Sequence, residues 1–207
     1  KTIIFILVSI FILTLSIYGN YEINKNELFL KKIEKKINIK IISPNFDLEY
    51  GLNINQIEKK LKKIIKYSEP NDDKKTIFIW PEGVFSGYSY EEIFVFKELI
   101  KKNFSKNHYI IFGINKLNKN TGSFYNSLLL VNDNFEVIQQ YNKQKLVPFG
   151  EFLPFERLLK KIGLKKITEG HGSFQKGNKK INIKLDQLNI LPLICYKVIF
   201  TKFIQLA

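Results

Sequence analysis

The chain has 207 residues, a formal net charge of +14 and a single cysteine. This length suits one domain with a sizeable core and a short appendage. The lysines are spread along the chain among Ile, Asn and Phe, so the charge does not indicate a nucleic-acid partner. Attraction to anionic lipid headgroups is the alternative role for this charge. One cysteine excludes an internal disulfide and leaves a thiol free for chemistry.

The chain opens with an apolar run over residues 2–18, close to the length that a membrane helix needs. We predict a transmembrane helix at 1–20, a basic linker at 21–38 and one domain at 39–207. A cleaved signal peptide is the alternative for the first segment. The lysines of the linker favour a cytoplasmic position by the positive-inside rule. Since residue 1 is Lys and methionine is absent, we expect an internal piece of a longer chain.

Strands and helices alternate in the first half of the predicted domain. Helical spacing of Ile57, Leu61, Ile64 and Ile65 predicts a helix from residue 54 onward. The remaining elements are expected strands at 40–42, 76–80 and 109–114, a helix at 91–102, a hairpin of 124–131 with 136–141, a short helix at 155–162, and a strand pair at 181–185 and 188–195. This order predicts a mixed α/β fold.

Three separate stretches supply groups for thiol chemistry. Glu82 follows a predicted strand in the sequence WPEG, Lys143 follows the predicted hairpin, and Cys195 ends the apolar run 188–194. A thiol needs a base or a cationic neighbour to react as a thiolate at neutral pH, and Glu82 and Lys143 supply these two groups. Taken singly, each has an ordinary explanation as a core cysteine, a loop glutamate or a surface lysine.

A carboxylate, an ammonium and a thiol in this order resemble the site of the carbon–nitrogen hydrolase (nitrilase) superfamily. Lys143 with LVPFGEFLP at 146–154, and LICY at 193–196, closely resemble the apolipoprotein N-acyltransferase family. The resemblance implies an α-β-β-α sandwich after one membrane helix. It also implies Cys195 as nucleophile, Glu82 as base and then acid, and Lys143 as the group that lowers the thiolate pKa and stabilises the oxyanion.

The same resemblance gives roles to residues beside the three. Glu151 supports the catalytic lysine, and Tyr196 supports the nucleophile. The side chains of Phe149, Phe152 and Phe155 form an apolar lid that contacts acyl chains, although ordinary core packing explains them as well. No metal and no soluble cofactor is implied. The Tyr125-Asn126-Ser127 motif is interpreted as structural, and His108 and His171 as surface or loop histidines.

By resemblance, the reaction transfers an acyl chain from a membrane glycerophospholipid, through a Cys195 thioester, to the free amine of a diacylated apolipoprotein. The family places this domain on the periplasmic side of the bacterial inner membrane, against the lysine-based topology, and we follow the family. The alternatives are a nitrilase or amidase acting on small amides, and a membrane-anchored remnant without turnover.

Two departures from the family pattern lower the expected activity. Lys197 stands where the family usually has a glutamate, two residues after the nucleophile. The chain also ends about a dozen residues after Cys195, so we expect a copy that is truncated at its C-terminus and incomplete at its N-terminus. We therefore expect a reactive Cys195 but slow acyl transfer.

Overall fold

The computed structural model describes residues 2–32, 37–47, 49, 51–155, 173–178, 182–186 and 188–194. The chain divides into two compact units, Lys1–Lys36 and Ile37–Ala207. The predicted helix at 155–162 lies outside the described residues beyond Phe155, and so do His171 and residues 195–207.

The first unit contains helix α1, Thr2–Lys32. Its segment Thr2–Leu28 has a mean hydropathy of 2.4 and no buried residue within the unit, so it is long and apolar enough to cross a membrane. A signal sequence near an N-terminus has the same properties. The helix continues to Lys32, so residues 21–32 are helical where we expected a linker.

The second unit is built on a five-stranded sheet with the order β1-β2-β3-β4-β5. The first three strands run parallel to one another, and β4 and β5 each pair antiparallel with the preceding strand. The strands are β1 Asn38–Ile41, β2 Thr76–Ile79, β3 His108–Leu117, β4 Phe124–Val131 and β5 Val137–Asn142.

Helices cover one face of this sheet. Helix α2, Ile54–Ser68, starts at a capping box in which Asn53 and Gln56 exchange side chain to backbone hydrogen bonds. Its predicted apolar residues are all buried against sheet residues such as Phe78 and Phe112. Helix α3, Tyr90–Ile93, a 3-10 turn, Phe94–Phe96, and helix α4, Lys97–Asn103, complete this layer.

A second, two-stranded sheet covers the other face. It consists of β6, Ile183–Leu185, and β7, Leu188–Ile190, paired antiparallel. Ile183 and Leu185 pack on Ile77, Ile111 and Leu130 of the large sheet. The described residues thus form an α-β-β layering, and the predicted mixed α/β fold is confirmed.

Several boundaries differ from the predictions. The helix expected at 91–102 is divided into three elements, and β3 extends three residues beyond the predicted strand because its end pairs with the start of β4. Residues 191–194 are not in a strand, and Pro192 among them has no N–H to give to a ladder.

His108 is buried, so its expected surface or loop position was wrong. Its ring nitrogens bond to the Ser105 N–H and to the Asn71 carbonyl.

The packing of α2 gives the first testable prediction. Ile64 is fully buried between α2 and the sheet. We expect Ile64→Ala to lower the free energy of unfolding by about 2–5 kcal/mol, because it removes apolar contacts and leaves a cavity. Urea unfolding in a non-ionic detergent, followed by near-UV circular dichroism, measures this loss.

The matched control is Lys59→Ala on the exposed side of the same helix. That change should alter the free energy of unfolding by no more than about 0.5 kcal/mol. Equal effects of the two substitutions would contradict the observed orientation of α2.

Candidate active site

Glu82 lies just beyond the end of β2, in the turn that follows Trp80 and Pro81. The Trp80 N–H donates to the Ile111 carbonyl, so the chain stays attached to β3 up to this point. The Glu82 side chain then passes over Gly113, where an added Cβ would lie 3.5 Å from the Glu82 Cγ. The Glu82 side chain therefore lies within van der Waals reach of β3 at Gly113.

Strand register brings Lys143 to the same region. Gly113 pairs with Leu128 in β4, and the adjacent Ser127 pairs with Asn142 at the end of β5. Lys143 follows Asn142, and its N–H donates to the Asn126 carbonyl at 2.8 Å. Glu82 follows β2 and Lys143 follows β5, the two strands that flank the β3-β4 pair. The two residues thus approach each other from the two edges of that pair.

Glu151 holds the Lys143 side chain. One Glu151 oxygen accepts hydrogen bonds from Lys143 Nζ and from Asn126 Nδ2, each at 2.8 Å. The other oxygen accepts the Val147 N–H at 2.9 Å. The side chains of Lys143 and Glu151 are only 2% and 13% exposed. Such a buried pair is stable only when hydrogen bonds satisfy its charges, and three donors meet this carboxylate.

A second segment, residues 173–178, forms backbone hydrogen bonds with both members of the Lys143–Glu151 pair. The Phe174 N–H donates to the Glu151 carbonyl, and the Gly177 N–H donates to the Lys143 carbonyl. A Cβ at Gly177 would lie 2.3 Å from the Asn142 carbonyl oxygen. Glycine at 177 is therefore needed for this close approach of the two backbones.

The surroundings raise the pKa of the Glu82 carboxyl above its ordinary value. Burial is the largest cause because it disfavours the charged form. The positive charge of Lys143 lowers this pKa, and the negative charge of Glu151 raises it. A carboxylate with a raised pKa is a better proton acceptor, which is what a base for a thiol requires.

A cavity of about 280 Å³ opens beside Glu82. Glu82 is only partly enclosed and counts as exposed over the whole residue, so a substrate can reach its carboxylate. The other lining residues come from the segment after β1 and from the turn that carries Glu82: Ser43, Pro44, Asn45, Phe46, Asp47, Pro81, Gly83 and Val84.

The three phenylalanines of the predicted lid differ in exposure. Phe149 is 45% exposed and Phe155 is 83% exposed, whereas Leu153 is buried and Phe152 is half-buried. The Phe149 N–H donates to the Phe152 carbonyl, which closes a tight loop. Two phenyl rings are thus available for an apolar ligand, and the acyl-contact role stays a prediction.

The structure brings Glu82, Lys143 and Glu151 into one electrostatic cluster. Cys195, Tyr196 and Lys197 lie outside the described residues, so their predicted roles stay predictions. Asn126 was interpreted only as part of a structural strand. Its amide and its carbonyl both hold the Lys143 region. The Tyr125-Asn126-Ser127 motif was the one feature of the sequence that could have indicated this role of Asn126.

A family model described as carbon-nitrogen hydrolase matches residues 49–205. The chain belongs to the carbon–nitrogen hydrolase family. This match includes both hydrogen-bonded partners, Lys143 and Glu151, together with Glu82 and Cys195.

Curated relatives narrow the similarity within the carbon–nitrogen hydrolase family. The chain is 34% identical over 202 residues to apolipoprotein N-acyltransferase of Wigglesworthia glossinidia brevipalpis. The aligned region covers 92% of this chain and 38% of the relative. The chain is 27% identical over 177 residues to the enzyme of that name from Rhodopseudomonas palustris, covering 79% and 33%. The chain therefore spans only 33–38% of the length of these relatives.

A solved structure is similar to the chain in fold. Glutamine-dependent NAD+ synthetase of Acinetobacter baumannii superposes with a TM-score of 0.52 at 20% identity. The superposition covers 80% of this chain and 29% of that one.

The coupling of Glu82 to Lys143 gives the second testable prediction. We expect Lys143→Met to raise the pKa of Glu82 further, because the substitution removes the cation that lowers it and leaves the Glu151 anion that raises it. Carbon-13 NMR titration of glutamate-labelled protein measures this pKa, and Glu82→Gln assigns the signal.

Lys106→Met is the matched control, since Lys106 is exposed and precedes β3 at the opposite end from Glu82. It should leave the Glu82 titration where it was. A Glu82 pKa that stays constant or falls in Lys143→Met would contradict the described proximity of the two groups.

Proposed function

We propose that this chain carries the catalytic domain of a membrane-bound N-acyltransferase. It would move an acyl chain from a glycerophospholipid to the N-terminal amine of a diacylglyceryl-cysteine lipoprotein. The observation that carries the proposal is the buried Lys143–Glu151 pair beside a carboxyl whose pKa is raised. The similarity to apolipoprotein N-acyltransferases supports N-acylation of a lipoprotein, and the glycerophospholipid donor is part of the proposal.

In the first half-reaction, Glu82 takes the proton of the Cys195 thiol. The sulfur then forms a bond to the ester carbon of the phospholipid. The negative charge moves to the carbonyl oxygen, where the Lys143 ammonium stabilises it. Collapse breaks the carbon–oxygen bond, Glu82 returns the proton to the leaving oxygen, and a lysophospholipid departs from the acyl thioester.

In the second half-reaction, the uncharged amine of the lipoprotein attacks the thioester carbon. Glu82 takes a proton from this nitrogen, the carbon–sulfur bond breaks, and an amide is released. The Cys195 thiolate that leaves is stabilised by Lys143 until it recovers the proton. Apolar surroundings protect the thioester from water between the two steps.

The hydrogen bonds of Lys143 explain why it suits this role. Its ammonium is anchored by a carboxylate that is itself held by Asn126 and Val147. A cation fixed in this way needs no reorganisation when negative charge develops nearby, so it stabilises the transition state more than a mobile surface lysine would.

We propose that the protein works at the bacterial inner membrane with this domain on the periplasmic side. Helix α1 is apolar enough to span a bilayer. The exposed rings of Phe149 and Phe155 offer a surface on which an acyl chain leaves the bilayer without crossing water.

Acylation of Cys195 is the third testable prediction. The 207-residue chain in detergent, mixed with phospholipid, should gain the mass of one acyl group and release it with hydroxylamine. Cys195→Ala should gain none. Glu82→Gln should slow acylation by about 10²–10⁴-fold, because it removes the base.

Native acylation should fall as the pH drops through the Glu82 pKa, above the ordinary 4.5, because only ionised Glu82 accepts the proton.

Intact-protein mass spectrometry follows the first step, and transfer to a diacylated lipopeptide follows the second. A native chain that hydrolyses small amides but takes no acyl group from phospholipid would overturn the proposal and favour an amidase. Equal acylation of the Cys195→Ala chain would exclude the thioester.

A further inference from the structure

A second cavity of about 380 Å³ lies next to the Lys143 region, and we call it the basic cavity. This volume is within the range of about 300–1,000 Å³ that ligand sites commonly have. Its described lining residues are two cations, one amide and three apolar side chains: Lys145, Lys176, Gln144, Leu146, Phe152 and Phe174.

Hydrogen bonds already described build the wall of the basic cavity. Residues 144–146 directly follow Lys143, and Phe174 and Lys176 belong to the segment that donates to the Glu151 and Lys143 carbonyls. The cavity is therefore formed by the two stretches of backbone that position the candidate catalytic lysine. A ligand placed there contacts the residues that adjoin Lys143 and Glu151 in the chain.

Charge distinguishes this cavity from the one beside Glu82. Both lysines are exposed, and none of the described lining residues is acidic. Glu151, the carboxylate adjoining Phe152, already accepts hydrogen bonds from Lys143, Asn126 and Val147. Among the residues that the structure describes, no carboxylate is paired with Lys145 or Lys176, so both ammonium groups can meet an anion from outside.

The apolar part of the lining restricts the kind of anion. Leu146, Phe152 and Phe174 are half-buried and present hydrocarbon beside the two cations. A small inorganic ion would leave this surface uncovered. An amphiphile with one phosphodiester and attached hydrocarbon satisfies both parts, since lysine binds phosphate as a point charge and apolar contact excludes water.

We propose that the basic cavity binds the phosphate-bearing headgroup of the donor glycerophospholipid, with Lys145 and Lys176 as its anion contacts. The proposal rests on the proposed acyltransferase function and adds a recognition site to it. The headgroup would thereby be held next to the chain segment that follows Lys143, and the phosphate would select phospholipids over neutral glycerides.

Binding to the full chain with Cys195→Ala, in non-ionic detergent, tests this proposal without turnover. Isothermal titration with dihexanoyl phosphatidylglycerol is compared with the phosphate-free dihexanoylglycerol and with inorganic phosphate. We expect Lys145→Gln together with Lys176→Gln to weaken phospholipid binding at least tenfold and to remove most of its salt dependence. The control pair Lys102→Gln with Lys106→Gln makes the same change of charge on exposed lysines outside the cavity.

Three results would overturn the proposal. They are phospholipid binding unaffected by the cavity variants, the same loss in the control pair, and inorganic phosphate bound as tightly as the lipid. Acylation of Cys195 in the otherwise native chain separates this test from that of the function. If phospholipid binding depends on Lys145 and Lys176 but Cys195 is not acylated, the binding site is supported and the acyltransferase function is contradicted. If Cys195 is acylated but binding does not depend on these lysines, the function is supported and the binding site is contradicted.

Discussion

The buried ion pair of Lys143 and Glu151 is the interaction on which the candidate site depends. Removing two charges from water costs several kcal/mol for each ion, and the structure compensates with hydrogen bonds from Asn126 and Val147. These partners come from β4 and from the loop after β5, so the pair also fastens that loop to the sheet. The segment containing Phe174 and Gly177 is attached to the same two residues through their carbonyls.

Glu82 gains its chemical character from its partial burial, with smaller and opposed effects from the two charges of the pair. It comes from a different part of the chain, and its side chain lies against Gly113 of β3, near the pair. Burial outweighs the opposing charge of Lys143, so the pKa rises and the carboxylate becomes a stronger base. One pair of charges therefore serves two purposes: it supplies a fixed cation and adjusts a neighbouring proton acceptor.

Local patterns in the sequence were enough to predict most of the elements. The spacing of Ile57, Leu61 and Ile64 follows from one buried helical face, and β4 was predicted with its observed bounds. Non-local effects were missed: His108 was expected at the surface because nothing in its neighbours shows that Phe78 and Phe104 would enclose it. The motifs predicted Glu151 beside Lys143 by resemblance. The amide contact of Asn126 depends on the register of β4, which a single sequence does not specify.

Unfolding free energies of Lys143→Met, Glu151→Gln and the double variant test the central role of the ion pair most directly. Glu151→Gln should cost about 3–5 kcal/mol because it leaves a buried ammonium without its carboxylate. Lys143→Met should cost less, since Glu151 keeps two donors. The double variant should be more stable than Glu151→Gln alone, because no unpaired cation remains. Losses that simply add in the double variant would contradict the account.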